Sequence, residues 1–405
     1  MDERKSKVMR FKFVITAVAL LLLMPAKLHA ESRPGKTQAR EDAIIKLTYD
    51  RAKAFAKLNS VTLKKLVRSE RDSYEKYDDY LKQAERIDPW GFTYSIGGKE
   101  YYFYYDLETR LMMRKAKELV PGQMKLAWEI ARDSREIAEN SMEISLRGIY
   151  MGTYSARADL LLKQKQLELV YIKNKHDRIR LDRGLISPLD MEESEYNLLK
   201  AKKEAAAAER NYESMVRNLN QFMGFPLGTR FSDIMIWEEP ESAVLEPVEH
   251  YIGKALNNRL DIKQIEKQIA LKEQEKNIIE SFNLYKVDTA AREEYEFLII
   301  ELEKLYIDLK AAKLSVENDI RNAYADIIKA EKSVESVKKA MELQKSAYEK
   351  MKARYDAGQV AEIILRQAEI NLAYAQNSYT AALFDYKTRL MRFEYAVGIG
   401  PAYQG

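Results

Sequence analysis

The sequence predicts an all-α protein made of two tandem copies of a long antiparallel helical hairpin, with at most one short β-hairpin. Three observations lead there. Helix breakers are scarce, 15 Gly and 9 Pro in 405 residues, about half of average usage. The chain also matches itself at one ungapped offset of 174 residues, the distance from Gly184 to Gly358. That shift pairs Glu143 with Glu317, Arg147 with Arg321, Tyr150 with Tyr324, Glu168 with Glu342, Glu195 with Glu369 and Tyr212 with Tyr386. Finally, apolar or small residues recur at alternating spacings of three and four, the seam pattern of a coiled coil. The positions are Leu198, Ala201, Ala205, Ala208, Tyr212, Met215, Leu219 and Phe222, and again Leu372, Ala375, Tyr379, Ala382, Tyr386, Arg389, Phe393 and Ala396.

Taken in order, residues 1–30 read as a targeting segment: a basic start, the apolar run "VITAVALLLLM" (Val14 to Met24), and small residues placing Leu28 and Ala30 at the −3 and −1 positions of a cleavage site. Eleven apolar residues suit a signal peptide better than a membrane span. Cleavage after Ala30 is expected, with an uncleaved N-terminal anchor as the alternative. The segment holds a surplus of four positive charges, and the whole chain carries +4. The remainder is therefore formally neutral, and there is no electrostatic case for nucleic acid.

The first repeat is assigned to residues 31–224. It opens with a helix over about 42–86, followed by "WGFTYSIGGKEYYFYYD" (Trp90 to Asp106). Gly97-Gly98 splits that aromatic stretch into a β-hairpin. It can be read as a cap on the helices or as contact with a membrane surface, which Tyr and Trp favour. An ascending helix over about 121–183, a bend, and a descending helix complete the copy. Residues 225–248, broken by Pro226, Gly228, Pro240 and Pro247, form a connector. The second repeat, 249–398, runs through a helix over 249–281 and an ascending helix over 291–357. After its own bend and descending helix come the tail residues 399–405.

The bends are "RLDRGLISPLD" (Arg180 to Asp190) and "RYDAGQVAEII" (Arg354 to Ile364). Gly184 and Gly358 suit the left-handed backbone with which helices end. In the first bend Ser187 is an N-cap, Pro188 the first helical residue and Asp190 the third. All of this can be helix punctuation. It can also be a docking tip in which Leu185, Ile186, Gln359 and Val360 meet a partner.

Chemistry is absent from the pattern. The chain has no Cys and three His, with no second ligand at metal spacing from His176 or His250. No phosphate-binding loop, nucleophile elbow or zinc-protease motif occurs. Neither an enzyme nor a cofactor is expected.

Two hairpins with R-x-D-x-G bends, Arg180-Asp182-Gly184 and Arg354-Asp356-Gly358, resemble the TolC outer-membrane efflux family. "LRGIYMG" (Leu146 to Gly152) and "IRNAYAD" (Ile320 to Asp326) are similar to its paired ascending helices. "NNRLDIKQIEK" (Asn257 to Lys267) is similar to its N-R-P-D helix opening, with Leu260 in place of proline. The resemblance implies a homotrimer whose hairpins close a helical tube. The bend-bearing tips would dock on a periplasmic adaptor (membrane fusion) protein serving an inner-membrane transporter, and a β-barrel of four strands per chain would stand at the other end. It implies an exported, non-catalytic conduit or coupling component of an efflux or secretion assembly. The alternative is a coiled-coil structural or adaptor-like protein of the envelope without a pore. Two features depart from the family. Strands of five to seven residues in one repeat only are too short for a membrane barrel. At the tip, Tyr355 and Asp190 match a family latch between hairpins, but Val360 replaces its arginine, and Ile364 and Gln367 replace its acidic residues.

Overall fold

The computed structural model describes residues 45–234 and 245–400; the targeting segment and the tail beyond Gly400 lie outside them. Nine α-helices and two small sheets form the described residues.

The first copy begins with strand β1 (Ile45–Leu47) and helices α1 (Tyr49–Asn59) and α2 (Val61–Glu85). The single early helix expected from the sequence is thus two, because Ser60 takes ψ 115° and its hydroxyl caps α2 by accepting from the Leu63 amide. The second copy repeats the correction. Helices α6 (Val248–Asn258) and α7 (Leu260–Phe282) are divided at Arg259, with ψ 128°. Arg259 is 2% exposed; it pairs with Asp261 at 2.6 Å and donates to the Ala396 carbonyl at 3.4 Å. Burial holds Asp319, 3.8 Å from that guanidinium, above the usual carboxylate range.

Between α2 and the long helices the copies differ. The first carries β2 (Gly91–Ile96) and β3 (Lys99–Tyr104), an antiparallel hairpin turning on Gly97 and Gly98, both at positive φ. It continues into α3 (Leu107–Glu118), capped by Asp106. The second copy has only a short 3₁₀ turn, Leu284–Lys286. The starts of α1 and α6, Tyr49 and Val248, lie 199 positions apart. After the insert, α5 (Pro188–Met223) and α9 (Glu362–Val397), each 36 residues long, begin 174 apart. The first copy therefore holds 25 extra residues, which contain the hairpin.

The ascending helices are α4 (Val120–Asp182) and α8 (Thr289–Asp356), of 63 and 68 residues. At 1.5 Å per residue, α8 is about 100 Å long. Each packs along its descending partner through the expected seam. Ala205, Ala208 and Leu219 are buried on α5, and Tyr386, Phe393 and Ala396 on α9. The cores correspond across the duplication. Leu146, Tyr150, Leu219 and Met223 centre the first; Ile320, Ile327, Phe393 and Ala396 centre the second.

One element was not expected. Within the connector, β4 (Phe231–Ile234) pairs in parallel with β1, Lys46 against Asp233 and Leu47 against Ile234. Arg157 on α4 also holds Asp233 in an ion pair.

The copies join where α4 meets α9. The Arg147 guanidinium, 6% exposed, lies 4.5 Å from the Phe384 ring centroid and donates to Thr388 Oγ1 at 3.1 Å. Towards the bends, Leu162, Leu169 and Ile370 form a small buried cluster with Ile363 and Ala373 beside it. Lys165–Glu369 at 2.6 Å and Arg366–Glu168 at 2.8 Å bracket the cluster.

Candidate functional site: the hairpin tips and the aromatic hairpin

Both bends close with the same backbone motif. In the first, the Gly184 amide donates to the Leu181 carbonyl and the Leu185 amide to the Arg180 carbonyl, each at 2.8 Å. In the second, Gly358 donates to Tyr355 and Gln359 to Arg354, again at 2.8 Å. This is the Schellman arrangement, which requires a left-handed residue; Gly184 stands at φ 68° and Gly358 at φ 71°. A Cβ on either would meet nothing within 4 Å, so conformation and not space demands glycine.

The side chains are unlike. Ser187 and Asp190 form a full capping box: the Asp190 amide donates to Ser187 Oγ at 3.2 Å, while the Ser187 amide and hydroxyl both donate to Asp190 Oδ2 at 2.8 Å. Those donors hold the Asp190 carboxyl below the usual carboxylate range, the Ser187 amide first. At the matching place Ala361 has the same extended backbone, φ −75° and ψ 151° against −78° and 159°, and no side-chain cap. The first tip is further laced by Asn174 Nδ2 donating to Ser194 Oγ at 3.1 Å, Ser194 Oγ donating to Asp177 at 3.0 Å, and an Arg178–Glu195 pair at 2.9 Å. The 174-residue shift turns Asn174, Asp177 and Ser194 into Tyr348, Met351 and Ala368.

Of the residues expected at the tips, Arg180, Asp182, Leu185, Arg354, Asp356 and Gln359 are exposed; Arg180 leans back to Asp177 at 3.5 Å. Ile186 and Val360 are half-buried, a correction to the expectation that both face out. Each precedes an N-cap, the position from which an apolar residue packs on the first turn of its helix. Met191, at the position Ile186 would staple, is buried. The Asp190 carboxylate is engaged by Ser187, and Tyr355 stands on the second tip with 38% of its surface exposed.

The β2–β3 hairpin is the other unusual surface. Its register puts Phe92 opposite Phe103, Tyr94 opposite Tyr101 and Ile96 opposite Lys99, so one face is nearly all apolar. Ring centroids of the first two pairs lie 5.4 and 5.7 Å apart. Thr93, Tyr102, Ser95 and Glu100 share the other face, and there the Tyr102 hydroxyl donates to Asp88 at 2.6 Å. That bond pushes the Tyr102 phenol up to about 12 and lowers the Asp88 carboxyl. Phe92, Tyr94, Ile96, Tyr101 and Phe103 are all exposed. Among the described residues, no helix is long and apolar enough to cross a membrane.

Two tandem hairpins with paired bends at one end and a β insert after the early helices define the TolC-type fold, and this chain has it. No family model and no curated protein matches the sequence. Solved structures match over nearly the whole chain. CusC aligns at TM-score 0.62 and 10% identity, covering 94% of this chain and all of its own. The outer-membrane channel OprN aligns at 0.61 and 13%, covering 93% and 99%. The open state of the Neisseria gonorrhoeae MtrE outer membrane channel aligns at 0.58 and 14%, covering 93% and 98%.

Proposed function

We propose that the protein is an exported, non-catalytic conduit of an efflux or secretion assembly in the cell envelope, working as a homotrimer. The observation that carries this reading is the two-hairpin fold, shared along more than nine-tenths of the chain with solved outer-membrane channels. Along α8, Phe297, Ile300, Ile307, Leu314 and Leu343 stay exposed, which favours lengthwise assembly. The tips, exposing Arg180, Asp182, Leu185, Arg354, Asp356 and Gln359 around the Gly184 and Gly358 bends, are the proposed docking point for a periplasmic adaptor protein. An inner-membrane transporter would stand beyond it. A latch between Asp190 and Tyr355 belongs to this proposal; Ser187 donates only to Asp190 Oδ2, which leaves Oδ1 to accept from the Tyr355 hydroxyl.

The far end differs from a membrane-spanning channel. Among the described residues, the hairpin offers two strands of six residues, where a barrel strand needs about 9–11. We therefore place the aromatic hairpin at a membrane interface, without a barrel of its own in the bilayer. The same short strands favour a second reading, a coiled-coil envelope element without a pore. Light scattering and negative-stain imaging of the purified protein separate the two. Ring-shaped trimers support the conduit, and a stable monomer refutes it.

A further inference from the structure

We infer that the aromatic face of the β2–β3 hairpin binds a membrane surface rich in anionic phospholipid, with Arg110 at its base and Lys99 at its turn receiving the headgroup phosphates. The inference rests on the placement of the hairpin at a membrane interface proposed above, and names the lipid class and the residues that select it.

That face is apolar along its middle and cationic at both ends. Phe92, Tyr94, Ile96, Tyr101 and Phe103 make up the exposed middle. Lys99, opposite Ile96 and beside the Gly97-Gly98 turn, is exposed at one end. At the other end stands Trp90, with the Arg110 guanidinium 5.4 Å from its ring centroid; the Tyr104 ring lies 5.9 Å from the same group. A strand of six residues separates the two cations by about 20 Å. Each strand has one neighbour only, and backbone groups on the open edges would go unpaired in hydrocarbon. The hairpin therefore suits the headgroup layer, lying on its aromatic face.

Arg110 is held in place without being neutralised. Its Nε donates to the Tyr105 carbonyl at 2.8 Å, and its other contacts are the two rings. Among the described residues no carboxylate pairs with it, whereas the next cations along α3 are paired, Arg114 with Glu118 at 2.9 Å and Lys115 with Glu294 at 2.7 Å. Both terminal amino groups of Arg110 stay open, and such a fork of donors fits the oxygens of a phosphate. The carboxylates gather elsewhere. Glu100 lies on the polar face, and there Asp88 accepts from the Tyr102 hydroxyl at 2.6 Å and from the Trp90 amide at 2.9 Å. Asp106 accepts from the Thr109 amide at 2.7 Å. Glu108, two residues before Arg110 on α3, does not face it. Charge is thus divided between the two faces of the hairpin. An apolar aromatic surface flanked by free cations is the form that settles on an anionic membrane.

The test is flotation of the full-length protein with vesicles of phosphatidylcholine alone, or of phosphatidylcholine with one part in three of phosphatidylglycerol. Lys99→Gln and Arg110→Gln should each weaken binding to the anionic vesicles about fivefold and leave binding to the neutral ones unchanged. Raising salt from about 0.1 M to about 0.5 M should erase most of that difference. Arg110→Lys keeps the charge and should keep most of the binding. Phe92→Ser with Phe103→Ser should weaken binding to both kinds of vesicle, with helical circular dichroism intact. Charge variants that bind the anionic vesicles as well as the unsubstituted protein overturn the headgroup assignment, and the interface placement stands if the phenylalanine pair still matters. An Arg110→Lys variant as weak as Arg110→Gln overturns the role given to the Arg110 charge. Binding that neither the charges nor the phenylalanines affect overturns both readings and leaves this face to a protein partner.

Discussion

The unequal caps of two otherwise equal bends give a measurable difference. Replacing Ser187 with Ala removes two of the three hydrogen bonds of the capping box: the one its Oγ accepts from the Asp190 amide at 3.2 Å and the one it donates to Asp190 Oδ2 at 2.8 Å. The backbone bond from residue 187 to Asp190 stays. Loss of a serine N-cap costs about 1 kcal/mol, a factor of about five in a local opening equilibrium. Because the cap sits at the end of a 36-residue helix, the effect should be local. Amide hydrogen exchange over residues 188–194 should quicken about fivefold, with no change at the start of α9. The converse test is a transplant. Ala361 already holds the cap's backbone angles, so Ala361→Ser with Ile364→Asp should slow exchange over residues 362–368 by a similar factor. Unchanged exchange in Ser187→Ala, or no gain from the transplant, would refute the view that the bends share a backbone and differ only in side-chain capping.

Further expectations concern the same elements. The Asp190 carboxyl is depressed by its Ser187 donors, so its contribution is complete above the usual carboxylate range. It should be lost only as pH falls below about 4, as carboxyl NMR titration would show. Gly184→Ala, in open space at positive φ, should cost about 1 kcal/mol. Gly224→Ala should cost about 2–4 kcal/mol in denaturant melts, because its Cβ would also lie 2.6 Å from Asn59 Cβ. Leu219→Ala, in the first core and fully buried, should cost about 2–5 kcal/mol. Gly91→Ala would put a methyl 2.0 Å from the Phe103 carbonyl oxygen; it should unpair the β-hairpin and abolish membrane association in flotation assays, while the helical circular dichroism stays intact.

What the sequence revealed and what it hid have separate causes. The bends were legible because Gly184 and Gly358 mark positive φ and the chain repeats them at one offset. The seams were legible because spacing survives even where Arg389 stands at an apolar position. The breaks at Ser60 and Arg259 were not, since neither has a proline or glycine. They depend on tertiary contacts instead, with Asn59 donating to the Met223 carbonyl at 2.8 Å and Arg259 to that of Ala396. The β1–β4 ladder was hidden because three- and four-residue strands far apart in sequence leave no periodic trace. The inward turn of Ile186 and Val360 is a matter of which side of the first helical turn each residue covers, and a bend motif alone does not disclose it.

The asymmetry of the tips bears on how such an end could move. Both bends have the same Schellman bonds, so their backbone cost of opening is alike. The first adds a capping box, the Asn174–Ser194–Asp177 chain and the Arg178–Glu195 pair. The second has Ala361, Tyr348, Ala368 and Met351 in the corresponding places, and is tied sideways to α4 through Lys165–Glu369 and Arg366–Glu168. Those are part-exposed ion pairs, individually worth little and weakened by salt. The exposed Arg178–Glu195 pair counts for as little, so the difference rests on the capping box and the Asn174–Ser194–Asp177 chain, and the second hairpin is expected to yield first. Its movement would be resisted chiefly by the small Leu162, Leu169 and Ile370 cluster, so truncating Ile370 should loosen the second tip and leave the first as closed as before.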